Sequence, residues 1–100
     1  MDRIVLSGNI VLTGASGSGK STIGRQLAKL VGFGFLDLDE LIEKKNGKRI
    51  SELFKSSGED FFREEESRML NELQSIKSHV ISVGGGALLT ESGFELARKL

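Results

Sequence analysis

Residues 14–21, with the sequence GASGSGKS, constrain this chain more than any other segment. They fit the pattern G-x-x-x-x-G-K-[ST], which predicts a loop whose backbone N–H groups surround a chain of phosphates. Glycine is needed there because a Cβ would clash or forbid the required dihedrals. Apolar residues 10–12 precede the loop and a helical pattern follows it, so the phosphates are expected at the positive end of a helix. The pattern indicates a nucleoside triphosphate site; the alternative is a turn that only joins a strand to a helix.

The residues of this loop have distinct expected roles. Lys20 is expected to bridge the β- and γ-phosphates. The Ser21 hydroxyl is expected to ligate the Mg²⁺ that neutralises them. Thr22 is placed to touch the α-phosphate. The full predicted phosphate-binding set is Gly14, Ser16, Gly17, Ser18, Gly19, Lys20, Ser21 and Thr22.

The charge balance and the composition exclude several kinds of partner. The 14 basic residues balance the 14 acidic ones, so no net field recruits nucleic acid or an anionic membrane, and a small-molecule substrate is expected. The absence of cysteine excludes disulfides and thiolate metal sites. No apolar stretch approaches the length of a spanning helix and no signal-peptide pattern is present, so a cytoplasmic location is expected.

The chain is predicted to form a single α/β domain with a parallel sheet. Apolar strands are expected at residues 10–13, 33–36 and 80–83, because strands buried on both faces are continuously apolar. Helices are expected after Gly19 and at residues 40–46, 50–54 and 57–76, with a last one after Thr90. The predicted parts are a lead-in at 1–8, a phosphate-binding unit at 9–32, substrate-binding helices at 33–79, and a third strand with its helix at 80–100. The first helix is expected to bury one apolar stripe, formed by Ile23, Leu27, Ala28, Leu30 and Val31.

Each predicted strand is followed by residues suited to ligand chemistry, and ligands bind outside the carboxyl ends of parallel strands. Asp37 and Asp39 follow the second strand, and in extended geometry both side chains would lie on one side. One carboxylate near Mg²⁺ and another at the attacking hydroxyl would suit phosphoryl transfer. The alternative is that Asp39 caps the next helix and Asp37 is a solvated loop residue.

Two further motifs are candidates for substrate contact. Arg63 follows two phenylalanines, where its guanidinium could clamp a substrate carboxylate; the alternative is an ion pair with Glu66 or Glu59. The triplet Gly84, Gly85 and Gly86 ends the third strand and could bring bare backbone to a ligand, or it could be a flexible turn. The acidic residues 64–66 are expected to form mainly a solvated helix face, and His79 is expected at a strand edge or the surface.

In order and spacing, these motifs resemble those of the shikimate kinases. The resemblance covers the phosphate loop with residues 22–28, residues 35–39, Ile42-Glu43, Gly47, residues 50–54, Gly58-Glu59, Phe62-Arg63 with Glu66, and residues 84–87. It implies a P-loop NTPase-type three-layer α/β/α fold with a parallel sheet, of which three of five strands, ordered 2-3-1-4-5, would be present. It also implies transfer of a phosphoryl group from ATP, with Mg²⁺, to the 3-hydroxyl of shikimate.

The resemblance implies a role for each matching residue. Asp39 would contact the reacting hydroxyl as the candidate base, and Arg63 would bind the shikimate carboxylate, with Glu66 holding Arg63 in place. Asp37 would act on Mg²⁺ through water. The remaining substrate-binding residues would be Ile50 and Phe54 on the apolar side and Gly84, Gly85 and Gly86 along the ring.

The sequence departs from the family pattern at its far end. Shikimate kinases continue past this point with two more strands and a lid that contains an Arg-Pro pair, whereas this sequence has no proline. We therefore expect weak or absent kinase activity from these residues alone, and an exposed edge at residues 10–13 that invites association, although the complete enzyme is expected to be a monomer. The alternatives are a kinase for another hydroxy acid such as gluconate, and a non-catalytic ligand-sensing or defective fragment.

Overall fold

The computed structural model describes residues 3–6, 8–14, 20–84 and 91–100. Several predicted site residues lie outside this description, namely Ser16, Gly17, Ser18, Gly19, Gly85 and Gly86. The backbone of Lys20 is described and its side chain is not. The predicted helix cap at Thr90 also lies outside the described residues.

The described strands form one sheet. In this sheet the strand ends that were predicted to bind ligands lie next to one another. The strands are β1 (Arg3–Leu6), β2 (Asn9–Gly14), β3 (Gly34–Asp37) and β4 (His79–Gly84), in the order β1-β2-β4-β3. Strands β2, β4 and β3 are mutually parallel, and Gly14 lies opposite Gly84 in the register. The carboxyl ends of the three parallel strands therefore meet at one edge, which confirms the α/β prediction.

Strand β1 corrects the prediction that residues 10–13 form an exposed sheet edge. It pairs antiparallel with β2, from Arg3 opposite Leu12 to Leu6 opposite Asn9. The turn between them contains Gly8 at φ 92°, a dihedral that glycine adopts without strain. Strand β2 is therefore flanked on both sides in the described structure, and the reason for expecting association along its edge is removed.

The described residues form four α-helices that flank the sheet, and glycines follow the first two and interrupt the third. They are α1 (Lys20–Val31), α2 (Leu38–Asn46), α3 (Ile50–Glu72) and α4 (Glu91–Arg98), with a 3₁₀ turn at Leu73–Ser75. Gly32 and Gly47 follow α1 and α2 with positive φ, as predicted for helix ends. Gly58 breaks α3 at φ 85° and ψ 169°, which agrees with the two helices predicted there. No helix in the described ranges is long and apolar enough to cross a membrane.

The two faces of the sheet bury cores of unequal size. The larger core packs Val11, Ile81 and Val83 against α2, α3 and α4, whereas the smaller one packs Leu12 and Val80 against α1.

The predicted apolar stripe of α1 is largely wrong. Ile23, Leu30 and Val31 are 40%, 84% and 44% exposed, whereas Gly24 and Ala28 are buried. The helix approaches the sheet along a narrow line at Gly24, which turns the flanking apolar residues outward.

Candidate active site

Asp37 lies at the carboxyl end of β3 and links two elements. Its Oδ1 accepts a hydrogen bond from the Glu40 backbone N–H at 3.1 Å, which caps the start of α2. Its Oδ2 accepts one from the Ser21 hydroxyl at 2.7 Å. Asp37 is therefore the helix cap, the role that the alternative interpretation had given to Asp39.

The helix starts at Leu38, so the expectation that Asp37 and Asp39 project from one extended strand is wrong. Asp37 has extended dihedrals, φ −114° and ψ 119°, whereas Asp39 lies in the first turn of α2. The extended backbone ends at Asp37, because the side chain of Asp37 caps the helix that begins at Leu38. The two carboxylates consequently occupy different positions: Asp37 contacts Ser21 and the start of α2, whereas Asp39 lies within the first turn of α2.

The Ser21 hydroxyl and the Asp37 carboxylate are a suitable donor set for Mg²⁺. They are hard oxygen atoms held 2.7 Å apart at a phosphate-loop helix. Within the described residues, no group of three or more His, Cys, Asp or Glu side chains could hold a metal ion. Mg²⁺ commonly takes one or two protein ligands and completes its coordination shell with phosphate oxygens and water.

Asp39 reaches the end of the neighbouring strand β4. A Cβ built on Gly84 would lie 3.7 Å from both carboxylate oxygens of Asp39. The side chain of Asp39 is half-buried. Because Gly84 has no side chain, the space beside this carboxylate is bounded by bare backbone on the β4 side.

Arg63 is held in a partly dry setting on α3. Its Nη1 donates a hydrogen bond to Glu66 Oε1 at 2.6 Å, and its Nε lies 3.7 Å from Glu59 Oε1. The guanidinium lies 5.4 Å from the ring centroid of the buried Phe62, and 26% of the side chain is exposed. The ion pairs named as the alternative from sequence are therefore present, and a bidentate clamp for a substrate carboxylate stays a prediction.

Glu66 connects Arg63 electrostatically to Asp39. Burial raises the pKa of Glu66, the hydrogen bond and charge of Arg63 oppose that rise, and the negative charge of Asp39 adds to it. Glu66 therefore lies close enough to both Arg63 and Asp39 to feel their charges. The predicted contact of Glu66 with Arg63 is present.

The prediction of a solvated acidic face at residues 64–66 is wrong for two of the three residues. Glu65 and Glu66 are each 3% exposed, and only Glu64 lies in solvent. Glu65 accepts a hydrogen bond from Asn46 at 3.0 Å and lies near Lys45 and Arg68. The Asn46 hydrogen bond lowers the pKa of Glu65, with help from the two cations and against the effect of burial. The side of α3 that carries both glutamates thus faces inward. The run of three acidic residues in the sequence suggests an exposed side instead.

The two apolar residues predicted to line the pocket differ in burial. Ile50 is half-buried and packs against the larger core, whereas Phe54 is 38% exposed. The Phe54 and Phe62 ring centroids are 4.9 Å apart, so Phe54 is joined through Phe62 to the guanidinium of Arg63. Their contact with substrate stays a prediction, as does that of the exposed Thr22 with phosphate.

The sequence interpretation did not recognise Asn9, and it placed His79 too far outward. His79 begins β4 between two neighbours and is half-buried, and its backbone N–H donates to the buried Asn9 Oδ1 at 3.1 Å. An asparagine at the start of a continuously apolar strand is the signal that could have identified a buried amide.

Comparisons with known proteins indicate one family. The family model described as shikimate kinase matches residues 16–100. A shikimate kinase of Chlorobaculum parvum is 52% identical over 90% of this chain and 48% of its own length, and one of Gloeobacter violaceus is 49% identical over 81% and 46%.

Solved structures give the same result. The shikimate kinase of Acinetobacter baumannii in complex with shikimate matches 91% of this chain and 50% of its own, with a TM-score of 0.83 and 44% identity. The enzyme from Bacteroides thetaiotaomicron matches 88% of this chain and 50% of its own, with a TM-score of 0.82 and 42% identity. The chain spans about half the length of the relatives it matches. It belongs to the shikimate kinase family.

Proposed function

We propose that this chain carries the phosphate, magnesium and shikimate-binding residues of a kinase that transfers a phosphoryl group from ATP to the 3-hydroxyl of shikimate. The observation that carries the proposal is that Asp39 lies beside the bare backbone of Gly84 and that its charge acts on Glu66, the hydrogen-bond partner of Arg63. A carboxylate that could orient a hydroxyl group and a guanidinium that could bind a carboxylate suit a small hydroxy acid as phosphoryl acceptor. The solved relative in complex with shikimate supports this choice of acid.

Arg63 would bind the carboxylate of shikimate. Its fork of N–H donors can form two parallel hydrogen bonds to a carboxylate, and Glu66 occupies Nη1 and thereby fixes the plane of the guanidinium. Phe62 under the guanidinium keeps water from one side of it. Ile50 and Phe54 would cover the apolar face of the ring, and Gly84, Gly85 and Gly86 would line its other side.

Asp39 would orient the attacking hydroxyl and accept its proton. The hydroxyl oxygen then forms a bond to the γ-phosphorus of ATP while the bond from that phosphorus to the β,γ-bridging oxygen breaks, so that ADP leaves. Bound Mg²⁺, held by Ser21 and by Asp37 through water, would offset the charge of the phosphates. Lys20 would add a positive charge at the β- and γ-phosphates, and the backbone of residues 14–22 would hold them.

Isothermal titration calorimetry of the whole chain tests this proposal. We expect Arg63→Ala to weaken shikimate binding by on the order of tenfold or more, because one charge-assisted contact is worth about 1.5–3 kcal/mol. The Lys20→Met variant should weaken ATP binding and leave shikimate binding in place.

The matched control is Arg68→Ala on the same helix. Arg68 pairs with the buried Glu65 as Arg63 pairs with Glu66, and it is 63% exposed. The Arg68 variant should bind shikimate like the unsubstituted chain. An Arg63→Ala variant that is folded and keeps full shikimate affinity would contradict the proposal.

A further inference from the structure

Gly24 lies in the middle of α1 at the closest approach of this helix to the sheet. Glycine is the least favourable residue in a helix interior after proline, so its presence there needs a reason. The residue is buried. A Cβ at this position would overlap Cε1 of Phe35 and would lie 3.1 Å from Cδ1 of the same ring and 3.3 Å from Leu12 Cδ1. Helix α1 therefore contacts β3 at a distance that no other residue type permits.

The same helix and strand carry the two side chains assigned to magnesium. Ser21 precedes Gly24 by about one helical turn. Asp37 follows Phe35 by two residues in β3, so both side chains project from the same face of the sheet. The hydroxyl and carboxylate oxygens meet at 2.7 Å. The separation of α1 from β3 thus fixes the distance between Ser21 and Asp37.

Arg25 holds the Phe35 ring in place from the next position of the helix. Its guanidinium lies 4.8 Å from the centroid of that ring, and its Nη2 lies 3.5 Å from Glu40 Oε1. Glu40 in turn donates its backbone N–H to Asp37. The ring therefore lies between the backbone of Gly24 and the guanidinium of Arg25, and an added methyl group at position 24 has to displace either the ring or the helix.

We infer that Gly24 is a positioning residue of the magnesium site, which acts by letting α1 approach Phe35 until Ser21 reaches Asp37. This inference rests on the proposed function, because it takes that pair as the Mg²⁺ site. A hydrogen bond weakens steeply when its atoms separate, so a small outward displacement of α1 separates the two oxygens. Residues that orient metal ligands from the second layer change metal affinity by about 10–100-fold.

Mn²⁺ in place of Mg²⁺ provides a direct readout by electron paramagnetic resonance, with ATP as the nucleotide. We expect Gly24→Ala to weaken Mn²⁺ binding to the ATP complex by on the order of tenfold. Binding of ATP in the presence of a chelator should change much less. The double substitution Gly24→Ala with Phe35→Leu makes room for the methyl group and should restore most of the Mn²⁺ affinity.

Gly34→Ala is the matched control. The added Cβ would lie 2.6 Å from Nε2 of the His79 ring, so it also meets an aromatic side chain, but at the opposite end of β3 from Asp37. It should leave Mn²⁺ affinity unchanged. A folded Gly24→Ala variant with unaltered Mn²⁺ affinity, or equal losses in both variants, would overturn the inference. Absence of Mn²⁺ and ATP binding in the unsubstituted chain would instead overturn the proposed function.

Discussion

At the scale of single residues, Glu65 and Glu66 are neighbours on α3 with equally low solvent exposure. The pKa values of their carboxyl groups are nevertheless shifted in opposite directions. Burial raises the pKa of Glu66 above its ordinary value of 4.5 despite its bond to Arg63. The Asn46 hydrogen bond and the charges of Lys45 and Arg68 lower the pKa of Glu65 below the same value. The difference arises because desolvation is the largest effect at Glu66, where the Asp39 charge adds to it, whereas hydrogen bonds and positive charges outweigh desolvation at Glu65.

These shifts predict opposite pH dependences for two glutamine substitutions. The folded protein binds the proton of Glu66 more tightly than the unfolded chain does. Glu66 therefore stabilises the folded state at low pH. This stabilisation is lost as the pH rises from about 4.5 through the raised pKa. Glu65 contributes stability above about 4.5 that is lost as pH falls through the lowered pKa. Relative to the unsubstituted chain, Glu66→Gln should therefore gain stability as pH rises above about 4.5, whereas Glu65→Gln should be least stable near neutral pH.

Urea unfolding of the three proteins between about pH 3 and pH 8 measures both effects, since each substitution serves as the control for the other. Free energies of unfolding that run parallel for Glu66→Gln and the unsubstituted chain across this range would contradict the assignment for Glu66.

Residue type and spacing identified Ser21, Asp37, Asp39 and Arg63 as the polar residues of this edge, because they follow strands or stand beside aromatic residues. Their individual partners could not be predicted. The capping role of Asp37 depends on where α2 starts, and the shorter contact of Arg63 with Glu66 than with Glu59 depends on which side of α3 is covered.

At the scale of elements, the kink in α3 depends on the backbone of Gly58. Its dihedrals, φ 85° and ψ 169°, fall in a region that is essentially restricted to glycine. No atom outside its neighbours lies within 4 Å of a Cβ built there, so side-chain clashes do not contribute. We predict that Gly58→Ala lowers the free energy of unfolding by about 1–3 kcal/mol, the cost of holding an L-residue in such a conformation. Chemical denaturation measures this change.

D-Alanine at position 58 is the sharpest control for this prediction. Its preferred dihedrals mirror those of an L-residue, so the positive φ costs it little, and it adds the same methyl group as L-alanine. A chain of 100 residues is within reach of chemical ligation. Equal losses for the two enantiomers would show that the methyl group, and not the backbone conformation, is responsible.

Helix ends and strands were predictable where the signal is local. Gly32, Gly47 and Gly58 each mark an end or a break because positive φ is a property of one residue. The buried side of α1 was not predictable from its apolar residues. Ile23, Leu30 and Val31 fit a helical stripe, yet the line of contact is set by Gly24, whose significance depends on Phe35 in a different element.

At the scale of the whole molecule, the order of the three parallel strands followed from the family pattern, and the antiparallel pairing of β1 did not. The short apolar triplet at residues 4–6 stands before a turn and can form either a strand or a linker. Only the unpaired edge that β2 would otherwise have favours its pairing as a hairpin. Strand β1 therefore lies beside β2, although the motifs of the candidate active site neither require nor predict it.

Asn9 links the most distant parts of the chain, and its loss should affect the whole fold. The side chain is 1% exposed. Its Nδ2 donates to the carbonyl oxygens of Ile76 at 2.7 Å and Leu100 at 3.0 Å, and its Oδ1 accepts from the His79 N–H at 3.1 Å. We predict that Asn9→Ala lowers the free energy of unfolding by about 3 kcal/mol or more, because each buried group left without a partner costs about 1–3 kcal/mol. For a domain of this size that is a large share of the total.

Gln74→Ala is the control, since Gln74 also donates from one amide to two carbonyl oxygens, those of Leu70 and Leu96. Its side chain is only half-buried, so water can replace it and a smaller loss is expected. Native-state hydrogen exchange gives a local readout, because the His79 amide loses its acceptor in Asn9→Ala and keeps it in Gln74→Ala. If that amide stayed equally protected in both variants, Asn9 would not be what joins the start of β2 to β4 and to the end of the chain.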